Sequence, residues 1–201
     1  MYSKSMQKLQ DKFIEINGAK IHYIEEGNGK PVILFHGARF NARTWEETGT
    51  LEAISKANYR AISVDFPGFG LSQNLSMDFP EFIKAFISSM NFEKAILLGA
   101  SMGGEAILGF SVKYPNLTEA LILVGAVGVQ NYQKDLDKIS NIPTLLIWGK
   151  RDNVSPKRNY EILLSRLKNV KLELIGENHA CYLDDPRSFN QKVVDFIKGL
   201  K

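Results

Sequence analysis

Cysteine is nearly absent. The 201-residue chain has one, Cys181, so it can form no intramolecular disulfide and no cysteine-based zinc site. Long apolar runs are missing too. The longest uncharged one, Ala120 to Val129, has 10 residues and includes two glycines, against the ~20 that a membrane helix needs. No segment concentrates lysine and arginine. The net charge of +3, from 25 basic and 22 acidic residues, offers nucleic acid no basic stripe. Neither a G-x-G-x-x-G dinucleotide loop nor a G-K-[ST] phosphate loop occurs. Met1 to Asp11 is polar and mixed in charge, with no apolar stretch, so it does not read as a signal peptide. Residues 1–11 are expected to be a loose tail or a lead-in strand. These absences together predict a soluble protein of the reducing cytoplasm, with no membrane, nucleic-acid, metal or organic-cofactor requirement.

What is present is ordinary globular material: 44% hydrophobic and 23% charged residues. The length suits one domain over residues 1–201, large enough to bury a full core. Short apolar runs recur at Pro31–Phe35, Arg60–Val64, Lys94–Leu98, Ala120–Val124, Thr144–Trp148 and Val170–Ile175. They are rich in Ile, Leu and Val and mostly lack polar alternation, the pattern of strands buried on both faces of a parallel sheet. Helical spacing fills the intervals, over Thr44–Asn58 with a break at Gly49, Phe79–Met90, Gly103–Tyr114, Lys157–Leu167 and Arg187–Leu200. Phe13–Ile16 and Ala19–Glu25 are separated by Asn17-Gly18, a tight-hairpin dipeptide. The expected fold is therefore α/β: a mostly parallel sheet of about 7–8 strands, antiparallel at its start, with helices on both faces.

The run ending at Leu98 passes directly into Gly99-Ala100-Ser101-Met102-Gly103, followed by a helical pattern. G-x-S-x-G between strand and helix is the nucleophile turn of α/β-hydrolases. The turn forces the serine into a strained conformation, and the flanking glycines make room for it. The backbone N–H of Met102, at the helix start, is placed to donate to a developing oxyanion. In that arrangement the order is serine, acid, histidine. Of His22, His36 and His179, only His179 follows Ser101, and it lies just past the last expected strand. The loop after Thr144–Trp148 supplies Asp152 as the acid that orients it. Asp135 and Asp137 read as surface charges, Asp184 and Asp185 as caps of the last helix, and Asp65 as a strand end. The loop His36-Gly37-Ala38-Arg39-Phe40 offers the N–H of Ala38 as second oxyanion donor, with His36 bracing the loop. Arg39, Phe40, Phe66 and Phe69 are candidates for lining a substrate pocket. For the two last, plain packing is the competing reading.

These residues resemble the α/β-hydrolase superfamily over nearly the whole chain. Two stretches, R-F-x-x-x-T-W at Arg39–Trp45 and H-x-C-Y-L-D at His179–Asp184, are more specific. They resemble the small, lidless α/β-hydrolase domain-containing protein 14 family. The resemblance implies a Ser-Asp-His hydrolase that cleaves small acyl esters or removes an acyl group from a larger molecule. The best-known animal members carry serines where this chain has Gly99 and Gly103. That departure leaves the triad intact and weakens any transfer of substrate or partner. Independently, only 18 residues separate Val124 from Pro143, room for one helix, expected near Tyr132–Ile139, and no lid domain. Two alternatives share these residues: an acyltransferase with a non-water acceptor, and a non-catalytic interaction module that has kept the fold.

Overall fold

The computed structural model describes residues 7–200. Eight strands form one sheet: β1 (Lys12–Ile16), β2 (Ala19–Glu26), β3 (Lys30–Phe35), β4 (Tyr59–Val64), β5 (Ala95–Ala100), β6 (Thr118–Val124), β7 (Thr144–Trp148) and β8 (Val170–Leu174). Their order is β1-β2-β4-β3-β5-β6-β7-β8. β1 pairs antiparallel with β2, and β2 with β4; every other pairing is parallel. The hairpin forms at Asn17-Gly18 because both residues take positive φ, 47° and 84°, as a tight twisted turn requires.

The central strands show why their sequences lack polar alternation. In β3, Ile33 and Phe35 face one core while Val32 and Leu34 face the other. β5 divides the same way, with Leu97 on one face and Ile96 and Leu98 on the opposite one. The first face is covered by α3 (Phe79–Ser89), α4 (Met102–Lys113) and α5 (Lys157–Arg166). The second is covered by α1 (Arg43–Glu47), α2 (Thr50–Lys56), the short α6 (Cys181–Asp184) and α7 (Pro186–Lys198). Gly49, with φ 77°, breaks α1 from α2 where the sequence places the break. α3 starts at an Asp78 cap that accepts the Glu81 N–H at 3.0 Å.

The stretch between β6 and β7 holds a single 3-10 helix, Val129–Ile139, and no lid domain. It starts three residues before the helix expected there, and Val129, Leu136 and Ile139 bury against the sheet. The sequence reading missed α6 altogether. Residues 7–11 are not a free tail. Arg43 donates to the Leu9 carbonyl at 2.8 Å and pairs with Asp11, and Asp11 also meets His22. The rest of the expected tail, residues 1–6, lies outside the described residues. No helix among the described residues is long and apolar enough to cross a membrane.

Candidate active site

The candidate residues sit on loops at the carboxyl ends of strands, or, for Met102, at the helix start that follows one, where α/β folds gather their ligands. β5 runs to Ala100, two residues beyond the expected end, so Ser101 is the first residue past the strand. Its backbone is strained, at φ 53° and ψ −112°. In this backbone the glycines on either side leave no room for a side chain. A Cβ at Gly99 would lie 2.3 Å from the Gly103 carbonyl oxygen, and one at Gly103 would lie 2.6 Å from that of Phe35. α4 follows at once, beginning at Met102.

Ser101, His179 and Asp152 meet in space although 78 and 27 residues separate the successive pairs. His179 Nδ1 lies 2.7 Å from Asp152 Oδ2, and Nε2 lies 2.8 Å from Ser101 Oγ. A carboxylate only accepts, so Nδ1 carries the proton and Nε2 accepts from the serine hydroxyl. Asp152 is fixed from behind: its Oδ1 accepts the N–H groups of Val154 and Ser155 at 2.9 and 2.8 Å. The structure brings together the three residues that the sequence order selects.

Two further residues shape this arrangement, and sequence reasoning missed both roles. Asp184 does not cap α7; Asp185 does, accepting the Ser188 N–H at 3.1 Å. Asp184 instead accepts the N–H groups of Glu177 and Asn178 at 2.9 and 2.7 Å, immediately before His179. Those bonds hold its carboxyl below the usual carboxylate range. The carbonyls of Gly176 and Glu177 in turn accept from Lys150 and Arg151, next to Asp152. The histidine loop is thus tied on one side to the acid loop and on the other to Asp184. Gly125, at the end of β6 with φ 50°, is the second. A Cβ there would stand 3.0 Å from Asp152 Oδ2 and 3.2 Å from His179 Nδ1. Its position directly after a buried strand was the available signal.

His36 braces its loop as expected. It is buried, its Nδ1 donates to the Gly37 carbonyl at 2.8 Å, and its Nε2 accepts the Phe66 N–H at 3.1 Å. Burial pushes its imidazole down, so it stays neutral. The N–H groups of Ala38 and Met102 have no protein acceptor among the described residues. Asp65, read as a plain strand end, anchors both flanking loops: it accepts from Ala42 at 2.7 Å and from Leu71 at 2.9 Å. It also meets His22 Nδ1 at 2.6 Å, while His22 Nε2 meets Asp11 at 2.7 Å.

A cavity of about 390 Å³ opens above Ser101 and His179, walled by Arg39, Phe40, Val154, Ala180 and Tyr182. Arg39 and Phe40 are therefore where the sequence puts them. Phe66 and Phe69 are not. Phe66 is fully buried, stacked 4.1 Å from the Phe79 ring and 5.3 Å from Phe35. Phe69 packs on His36 at 5.2 Å. Both rings pack on His36 and Phe79, and so support the His36 loop instead of lining the cavity. Tyr182, not singled out from sequence, takes their place. Cys181 is fully buried in the second core, as its apolar neighbours suggest. Among the described residues no cluster of three or more His, Cys, Asp or Glu is arranged to hold a metal ion.

A serine turn, a histidine and an acid at one edge of such a sheet define a class, and a model of the alpha/beta hydrolase fold family matches residues 30–139. The chain belongs to that family. Within it, the chain is similar to Protein ABHD14A of Danio rerio, 29% identical over 174 residues that make up 84% of this chain and 64% of that protein. It is also similar to the human "Putative protein-lysine deacylase ABHD14B", 26% identical over 200 residues, 94% of this chain and 95% of that one. Among solved structures, a protein described as a predicted CIB-like hydrolase from Thermoplasma acidophilum superposes with a TM-score of 0.90 at 29% identity, covering 96% of this chain and 99% of that one.

Proposed function

We propose that the protein is a serine hydrolase that cleaves small acyl esters, or removes an acyl group from a larger molecule, through an acyl-enzyme on Ser101. The observation that carries this reading is the continuous chain from Ser101 Oγ through His179 to Asp152, at 2.8 and 2.7 Å. Ser101 attacks the carbonyl as His179 Nε2 takes its proton. The charge that develops on oxygen is met by the N–H groups of Ala38 and Met102. The same imidazole protonates the leaving group, and Asp152 stabilises the imidazolium while it exists. Water, activated by His179, then clears the acyl group. The absence of a lid leaves the site open on that side, which suits an acyl group borne on a bulky molecule. The name of ABHD14B, removal of an acyl group from protein lysine, is of the same chemical kind.

A fluorophosphonate probe tests the reading directly. We expect one covalent adduct, on Ser101, that is lost in Ser101→Ala. Ester turnover should fall on the order of 10⁶-fold in Ser101→Ala and on the order of 10⁴-fold in Asp152→Ala. No adduct on the wild-type protein, or a Ser101→Ala variant that keeps a sizeable share of ester turnover, overturns the assignment.

A further inference from the structure

We propose that Arg39 and Tyr182 form a carboxylate-binding subsite inside the cavity of Ser101, so that the preferred substrates carry a carboxylate a few bonds from the scissile carbonyl. The proposal rests on the hydrolase reading and names its substrate class.

The cavity walls formed by Phe40, Val154 and Ala180 are apolar. They can take methylene groups and exclude water, but they fix no orientation. Two polar groups in the same cavity have no part in the triad. Tyr182 is only 3% exposed, and its ring is clamped 4.7 Å from Trp45, 5.8 Å from Phe189 and 5.9 Å from Phe40. Its hydroxyl makes no hydrogen bond among the described residues. The buried polar atoms sealed off without a partner include Trp45 Nε1 but not this hydroxyl, so it keeps some access to solvent, and Tyr182 lines the cavity. A polar group buried on a rigid ring and left unpartnered is a site waiting for a ligand atom. Burial pushes the phenol up, so the hydroxyl keeps its proton throughout the working range.

Arg39 is exposed at the mouth of the cavity and meets no carboxylate among the described residues, whereas Arg43, Arg60 and Arg151 each do. A guanidinium fork and a phenolic O–H are donors, and the complement of two donors lining one cavity is a group that only accepts. A planar carboxylate fits the fork; an ammonium is repelled. Sequence position sets the reach. Arg39 directly follows Ala38, whose N–H faces the developing oxyanion in the proposed reaction, and Tyr182 lies three residues past His179. A carboxylate held between them stays close to a carbonyl at Ser101.

Three esters test this, each measured above the blank given by Ser101→Ala: phenyl pentanoate, the phenyl half-ester of glutaric acid, and the pentanoate ester of 4-hydroxybenzoate. The second carries its carboxylate on the acyl side and the third on the leaving side. We expect one of these two to exceed phenyl pentanoate by about ten-fold or more in kcat/KM, mainly through KM. Which one does so assigns the side. Arg39→Gln should remove most of that excess and Tyr182→Phe part of it, since Phe keeps the ring contacts. Carboxylated esters no better than the neutral one overturn the subsite, as does an excess that survives Arg39→Gln. Those failures leave Ser101 labelled by fluorophosphonate. No labelling and no turnover of any ester would instead remove the hydrolase reading, and the subsite with it.

Discussion

Asp184 grips Asn178 twice: Oδ2 accepts the backbone N–H at 2.7 Å, and Oδ1 accepts from Nδ2 at 3.2 Å. The next residue is His179, so this grip sets the height at which the imidazole leaves the loop. Asp184→Ala should lower kcat by roughly 10–100-fold with little change in KM, the cost of a base displaced by a fraction of an ångström. Asp184→Asn, which keeps one acceptor oxygen, should recover part of it. Steady-state kinetics beside a thermal melt separates misplacement from unfolding; kcat unchanged in a folded Asp184→Ala protein contradicts the role. The sign with pH follows from the lowered carboxyl. The clamp is intact above the ordinary carboxylate range and is lost as pH falls through the lowered value.

Gly125 is the contact point between β6 and the Asp152–His179 pair. Gly125→Ala should cost about 1–2 kcal/mol from left-handed strain alone. It should also lower kcat by roughly 100-fold, because the new Cβ pushes on Asp152 Oδ2 and His179 Nδ1. A normal kcat in this variant would mean that the pair can shift without loss.

Cys181 lies two residues past His179, yet its thiol is pushed up to about 12, first by burial and then by Asp152 and Asp184. At neutral pH it is a thiol, not a thiolate, and thiolate is the nucleophile. Alkylation by iodoacetamide should be slow, and Cys181→Ser should keep most activity while losing about 1 kcal/mol of stability. Rapid stoichiometric inactivation, with a folded but inactive Cys181→Ser, would show that sulfur takes part in the chemistry.

His36 gives the acid side of the stability curve a definite sign. In the folded protein it is held neutral, while the unfolded chain takes up a proton on it near pH ~6.5. The unfolded state then binds more protons, so stability falls as pH drops from about 6.5 to the lowered folded value. Urea melts at about pH 8 and about pH 5 should show a larger loss for the wild type than for His36→Gln. Equal losses would place the acid sensitivity elsewhere.

Much of this protein was legible in one dimension. Strands buried on both faces run apolar through their central positions, so β3, β5, β6 and β7 announce themselves, and Asn17-Gly18 supplies the positive φ that a hairpin turn needs. The meeting of Ser101, His179 and Asp152 was legible as well, since a glycine-flanked serine between strand and helix stands out and only His179 follows Ser101. These are local demands, and local demands leave local marks. Tertiary structure decided the rest. Phe66 and Phe69 follow β4, next to the strand that carries the His36 loop, but their rings pack on His36 and Phe79 instead of the cavity. Asp184 looks like a helix cap, yet its carboxylate finds two N–H groups on a loop six and seven residues back. Tyr182 gained a face on the cavity, and Gly125 its place against Asp152, from the approach of segments far apart in the chain. Side-chain periodicity fixes which face of a helix or strand is buried. It says nothing of where a side chain points once the backbone leaves the sheet edge, because that direction is set by the packing of the loops on one another.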